Sequence, residues 1–131
     1  MIADTTFLVD VLRSVDKKTE KKVNELDHSF STKFISTITV LELWSGVYQS
    51  KNPKKQSDKI KKILESFIIL PFKEEDAKIA GKIEAELILN GNNIGITDIM
   101  IAASAIKHNQ SILTRNVKHF SKVKGIKIET Y

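Results

Sequence analysis

A chain of 131 residues, 41% hydrophobic and 28% charged, suits one globular domain that closes around its own core without a disulfide or metal staple. It contains no cysteine, which excludes disulfide scaffolds, thiolate zinc centres and cysteine nucleophiles and agrees with a reducing cytoplasm. The net charge is +5, from 21 Lys and Arg against 16 Asp and Glu, too modest to define a function by itself.

Residues 1–10 lack the basic and apolar regions of a signal peptide, and the most apolar stretch, 99–106, is too short to cross a bilayer. Residues 1–3 read as a short strand. A helix is expected from Thr5 or Thr6, with Phe7, Leu8, Val11 and Leu12 at helical apolar spacing, then a very polar helix over 16–26. Residues 33–36 read as a strand leading into a helix over 37–48, whose apolar stripe is Ile38, Leu41, Trp44 and Tyr48. Asn52-Pro53 breaks that helix, and the next covers 53–66 with Ile60, Ile63 and Leu64 on one side. The continuous apolar run 67–72 has the mark of a buried strand. A long helix follows over 74–89, with acids in its first turn where the helix dipole favours them. After a loop at 90–95, the helix 97–108 is apolar almost all round, as a helix in the middle of a domain would be. A strand at 111–114, a helical turn at 117–120 and a strand at 126–129 complete the chain. This alternation predicts a single α/β domain over 1–131. Its architecture is a three-layer sandwich, with a mostly parallel central sheet and helices on both faces.

Charge is unevenly spread. Residues 51–62 carry +5, residues 107–127 carry +6 with no acid among them, and residues 74–98 hold six acids against two lysines. The basic blocks read either as solvated faces or as a polyanion-binding surface, with nucleic acid the leading ligand.

Three acids stand out from the polar helix faces. Asp4 follows a strand and precedes a helix, where α/β proteins place ligand-binding residues, although an N-cap shared with Thr5 and Thr6 also explains it. Glu42 lies within an apolar helix, costly to bury unless a cation meets it, or else it emerges at a solvent edge. Asp98 opens the most apolar helix, where the dipole alone accounts for an acid. Converging on one point, these carboxylates would repel one another unless a cation neutralised them. Oxygen ligands without cysteine point to Mg²⁺ or Mn²⁺ rather than zinc. His28, His108 and His119 are too scattered for a metal box and read as solvated or core-edge residues.

The sequence resembles the PIN-domain family, and within it the VapC-type toxin ribonucleases of toxin–antitoxin pairs. Asp4-Thr-Thr-Phe-Leu-Val-Asp-Val-Leu12 is similar to the family's opening motif, and Ser36-Thr-Ile-Thr-Val-Leu-Glu-Leu-Trp-Ser-Gly46 to its second, with Glu42 at the acidic position. Thr97-Asp-Ile-Met-Ile-Ala-Ala-Ser-Ala105 is similar to the third, with Asp98 at the acid, and Leu113-Thr-Arg-Asn-Val-Lys-His-Phe120 to the fourth. The fourth motif departs from the family. Relatives carry an acid where Asn116 stands, or an Asp before the Phe, and here that second place is His119.

The resemblance implies a metal-dependent endoribonuclease in which Asp4, Glu42 and Asp98 hold Mg²⁺ or Mn²⁺ directly or through water. Thr6 and Thr114 would support those groups or else serve as ordinary cap and strand-end hydroxyls, Asn116 would hydrogen-bond a metal-bound water, and Lys54, Lys55, Lys61, Lys62 and Arg115 would attract the RNA backbone. It further implies a homodimer and a VapB-type antitoxin whose C-terminal segment covers the site. Trp44 and Tyr48, one turn apart on the helix that carries Glu42, are candidates to line the groove it occupies, with a core role the stronger alternative for Trp44. The alternatives are a catalytically silent PIN-fold module that binds RNA or protein, and a small-molecule phosphatase. Against nucleotide-binding forms of the latter, the chain lacks a Gly-rich phosphate loop.

Overall fold

The computed structural model describes the whole chain, Met1–Tyr131. One parallel sheet contains β1 (Ile2–Ala3), β2 (Phe34–Ser36), β3 (Ile68–Leu70), β4 (Ile112–Leu113) and β5 (Ile128–Glu129), in the order β3-β2-β1-β4-β5. Ile2 is in register with Phe34 on one side and Ile112 on the other. The chain therefore starts at the sheet centre, steps outward to β3, and returns across β1 to build β4 and β5. That reversal creates a switch point beside β1, the place where open α/β sheets bind ligands outside the carboxyl ends of their strands.

The helices are α1 (Thr5–Arg13), α2 (Lys17–Asp27), α3 (Thr37–Gln49), α4 (Pro53–Leu64), α5 (Glu74–Leu89), α6 (Ile96–Lys107) and the single turn α7 (Val117–Phe120). Four of their starts are written in the sequence as oxygen-bearing caps: Asp4 for α1, Asp16 for α2, Ser36 for α3 and Asn52 for α4. The two-residue period of the strands divides the core. Ile2 and Ile112 face a cluster with Ile83 and Leu87 of α5, Ile99 and Ile101 of α6, and Phe120 of α7. Ala3, Ile35 and Leu113 face the opposite cluster, with Phe7 and Leu8 of α1, Leu43 and Val47 of α3, and Ile60 of α4. This is the expected three-layer α/β sandwich, with every strand pair parallel. No helix is long and apolar enough to cross a membrane.

Two expectations need correction. The apolar run at 67–72 forms an edge strand, not a buried one: Ile68 and Ile69 are 53% and 43% exposed, and only Leu70 is buried. A short apolar run cannot by itself distinguish an edge from a centre, because burial of both faces is decided by the neighbours. The inner face of α3 is Ile38, Thr39, Leu43 and Val47, whereas Leu41 and Tyr48 point outward at 62% and 74% exposure. The helix is thus rotated from the expected stripe, and that rotation leaves Glu42 half-buried at the rim of the sheet.

Helix α6 is fixed in place by a buried ion pair. Asp76 of α5 is wholly buried and accepts hydrogen bonds from Lys107 Nζ at 2.9 Å, the Lys73 amide at 3.0 Å and Ser104 Oγ at 3.1 Å. Burial pushes the Asp76 carboxyl up, but the Lys107, Lys73 and Ser104 hydrogen bonds and the Lys107 charge outweigh it and hold it below its ordinary value. Its contribution to stability is therefore present above the unfolded Asp value of about 3.9 and lost as pH falls through the lower folded value. Urea unfolding followed from about pH 5 to about pH 2 should show this loss. Asp76→Asn should lower stability at neutral pH and flatten the acid slope; an unchanged slope would remove Asp76 from the account.

Candidate active site

Asp4 stands at the carboxyl end of the central strand and is only 2% exposed. Its Oδ1 accepts the Thr6 amide at 2.5 Å, which makes it the N-cap of α1, and its Oδ2 accepts the Thr6 hydroxyl at 3.0 Å. Oδ2 also accepts the hydroxyl of Thr114, the residue that follows β4, so one carboxylate bridges the switch point. Burial pushes the Asp4 carboxyl up; the Thr114 and Thr6 hydrogen bonds pull it down, and the nearby Asp98 charge adds to the rise. The net direction is above the ordinary value.

Glu42 is tied to both neighbouring helix starts. Its Oε1 accepts from Thr5 Oγ1 at 2.7 Å and its Oε2 from Thr97 Oγ1 at 3.4 Å. Thr5 adjoins Asp4 in the chain and Thr97 adjoins Asp98, so the three acids share the carboxyl edge of the sheet through two hydroxyl bridges. Asp98, whose side chain is 23% exposed, lies in the first turn of α6 and meets His119 Nδ1 at 3.2 Å. Asn116 Nδ2 lies 2.7 Å from the same ring nitrogen, and the Asn116 amide donates to Thr114 Oγ1 at 2.9 Å.

Thr5, Thr97 and His119 are absent from the sequence-derived site. The threonines sit at helix starts, where capping explains a hydroxyl, and only their adjacency to the acids marks them. His119, expected at a solvated or core edge, faces Asp98 because Phe120 beside it is wholly buried and pins α7 against the α6 layer.

No three Asp, Glu or His side chains stand close enough together to enclose a metal ion as they are oriented. The donor set nevertheless suits a hard cation. Asp4 and Asp98 are within electrostatic reach, and Mg²⁺ typically takes one or two carboxylates and completes its shell with water and phosphate oxygens.

Beside Glu42 opens a groove of about 470 Å³ between α1, α3 and α4. Val9, Leu12, Leu43, Val47 and Ile60 form its apolar floor, and Arg13 and Lys59 supply positive charge. Lys59 is the one lysine of the 51–62 block that lines it; Lys54, Lys55, Lys61 and Lys62 are exposed elsewhere on α4. Arg115 is engaged within the chain. Its Nε is 3.3 Å from Asp10, its Nη2 is 3.0 Å from Asp16, and its guanidinium lies 4.9 Å from the centre of the Tyr131 ring. Trp44 is half-buried against the α1 layer and Tyr48 packs on it at 5.8 Å, outside the groove.

A parallel α/β sandwich with acids gathered at its switch point belongs to the class of open α/β proteins whose ligand site lies outside the carboxyl ends of the strands. Comparison with known proteins makes the assignment specific: the PIN domain profile matches residues 1–126, and the chain belongs to the PIN-domain family. Ribonuclease VapC1 of Rickettsia felis is 31% identical, covering 99% of this chain and 95% of that relative. The tRNA(fMet)-specific endonuclease VapC of Salmonella typhimurium is 28% identical, covering 95% of this chain and 97% of that protein. Among solved structures, VapBC2 from Rickettsia felis bound to a promoter DNA fragment superposes with a TM-score of 0.91 at 26% identity. The match covers 99% of this chain and 97% of that one.

Thr114→Val keeps the shape of the side chain but leaves a buried carboxylate one donor short, a change worth about 1.5–3 kcal/mol for a charged acceptor. Urea denaturation at neutral pH should register a loss of that order, and the Asp4 carboxyl should titrate still higher by NMR. A variant as stable as the parent would show that Thr114 does not hold Asp4.

Proposed function

We propose that this chain is a metal-dependent endoribonuclease, the toxin of a VapBC-type toxin–antitoxin pair, and that it uses Mg²⁺ or Mn²⁺. One observation carries the reading: Asp4, Glu42 and Asp98, from three separate elements, are linked at the switch point beside a groove with cationic walls. Relatives named as VapC ribonucleases align along nearly the whole chain and support it.

When bound, a divalent cation supplies Lewis-acid chemistry, activating water and neutralising charge on the phosphate. Asp4, Asp98 and Glu42 would hold that cation directly or through water. Thr6 and Thr114 fix the Asp4 carboxylate in one orientation, so no reorganisation is needed during the reaction. Glu42 lines the groove with both oxygens anchored, where it would orient the attacking water and accept its proton. Arg13 and Lys59 meet RNA phosphates in the groove and position the strand without reading its sequence. The protein partner is a VapB-type antitoxin that inserts a cationic side chain among the acids, and the toxin assembles as a homodimer. Structures of VapBC complexes are the support for that partner.

The lack of a carboxylate at Asn116 and His119 favours a second reading, a catalytically silent PIN-fold module. Cleavage of a panel of structured RNAs separates the two. Cleavage should require added Mg²⁺ or Mn²⁺, stop with EDTA, and fall at least about 100-fold in Glu42→Gln and Asp98→Asn. RNA binding without cleavage under any metal would establish the silent module, and EDTA-resistant cleavage would sink the metal mechanism. Independently, Arg13→Ser with Lys59→Ser should weaken RNA binding and flatten its salt dependence by about 0.7 per lost phosphate contact. A slope equal to that of the parent would exclude the groove as the RNA path.

A further inference from the structure

We propose that His119 is itself a ligand of the divalent cation and shifts the preference of this site from Mg²⁺ toward transition ions, Mn²⁺ included, which accept nitrogen more readily than Mg²⁺ does. The inference rests on the metal-dependent reading above and assigns to that site a donor outside its three acids.

The geometry comes from α7. Phe120 is wholly buried in the core, which anchors the turn and leaves the neighbouring His119 ring at the rim, 44% exposed and facing Asp98. Its Nδ1 lies 3.2 Å from Asp98 Oδ2 and 2.7 Å from Asn116 Nδ2. An amide NH₂ donates, so the Asn116 contact makes Nδ1 an acceptor and leaves the ring proton on Nε2. The Asp98 oxygen then stands 3.2 Å from Nδ1 with no proton between them, and the single Nδ1 lone pair is held by the Asn116 amide. A cation shared with Asp98 would take that lone pair in place of the Asn116 N–H. On an octahedral ion with bonds of about 2.1 Å, adjacent ligand atoms stand about 3 Å apart, close to the separation observed. Both side chains are open to solvent, so an ion can enter without rearrangement of the fold.

The chemistry of the donor decides the preference. A carboxylate suits Mg²⁺, whereas imidazole suits transition metals and contributes no negative charge. Imidazole at this corner therefore weakens the hold on a hard ion that depends on charge and strengthens it on one that binds nitrogen. If the proton instead sits on Nδ1, the same contact is a hydrogen bond to Asp98, and His119 is then only a positioning residue.

The test reads metal binding itself. Pulsed EPR of the Mn²⁺-loaded protein should show nitrogen coupling from one imidazole, absent in His119→Ala and His119→Asp. Calorimetric titration should show the ratio of Mn²⁺ to Mg²⁺ affinity falling about 10-fold or more in His119→Asp, which restores a carboxylate. Circular dichroism confirms that the variants fold, and the variants themselves exclude His28 and His108 as the source of the coupling. Mn²⁺ that binds without nitrogen coupling, with an affinity ratio unchanged in the variants, overturns the role of His119 while leaving the carboxylate site standing. Mn²⁺ binding equal in wild type and Asp4→Asn would overturn the metal site together with this inference.

Discussion

Burial of the Asp4 carboxylate at the end of the central strand is the constraint around which the functional edge is organised. A charge removed from water in this way is costly unless hydrogen bonds replace its hydration. Here the donors come from both sides of the switch point: the backbone and hydroxyl of Thr6 in α1, and the hydroxyl of Thr114 after β4. The Asp4 amide donates to the Leu113 carbonyl at 3.0 Å, which extends the ladder between β1 and β4 up to the site. Those contacts set the relative position of β1, α1 and β4 while leaving the carboxyl above its ordinary value, with Asp98 contributing to the rise. Burial first, and the Asp98 charge after it, thus disfavour the ionised form of Asp4, the kind of environment that clusters at functional sites.

The surrounding structure keeps that edge from relaxing. Hydroxyls of Thr5 and Thr97 clamp Glu42 between the starts of α1 and α6. The Asp76–Lys107 pair holds α6 against α5. Beyond Thr114, Arg115 gathers Asp10, Asp16 and the Tyr131 ring into one cluster. The Tyr131 hydroxyl donates to Asp10 at 2.7 Å, and its ring packs edge-on against Phe7 at 5.0 Å. Burial and the Asp10 hydrogen bond raise the Tyr131 hydroxyl well above its usual range, so it remains a donor at any physiological pH. An arginine that looks free to bind RNA in the sequence is thereby committed to joining the C-terminus to α1 and α2.

Legibility in the sequence followed the range of the interactions involved. Helix starts were readable because their signals are local: the sequence places them near residues 5, 16, 37 and 53, and the structure shows Asp4, Asp16, Ser36 and Asn52 capping the helices that begin there. The burial of α6 was readable because Ile99, Ile101 and the alanines leave it almost no polar face. The exposure of Ile68 and Ile69 was not, since β3 differs from an inner strand only in lacking a neighbour on one side. Nor was the rotation of α3, because Leu41 and Tyr48 fit an apolar stripe as well as Leu43 and Val47 do.

By itself the sequence determined the α/β class, the order of the elements and the identity of Asp4, Glu42 and Asp98 as acids that polar helix faces do not explain. These follow from local periodicity and from residue chemistry, both of which are properties of short stretches of chain. Only the tertiary structure decided which hydroxyls serve those acids, that Lys59 and Arg13 wall the groove while Arg115 is paired elsewhere, and that His119 meets Asp98. Each of these joins residues tens of positions apart. A parallel sheet brings such residues together only when its strands close in one particular order, and no local pattern encodes that order.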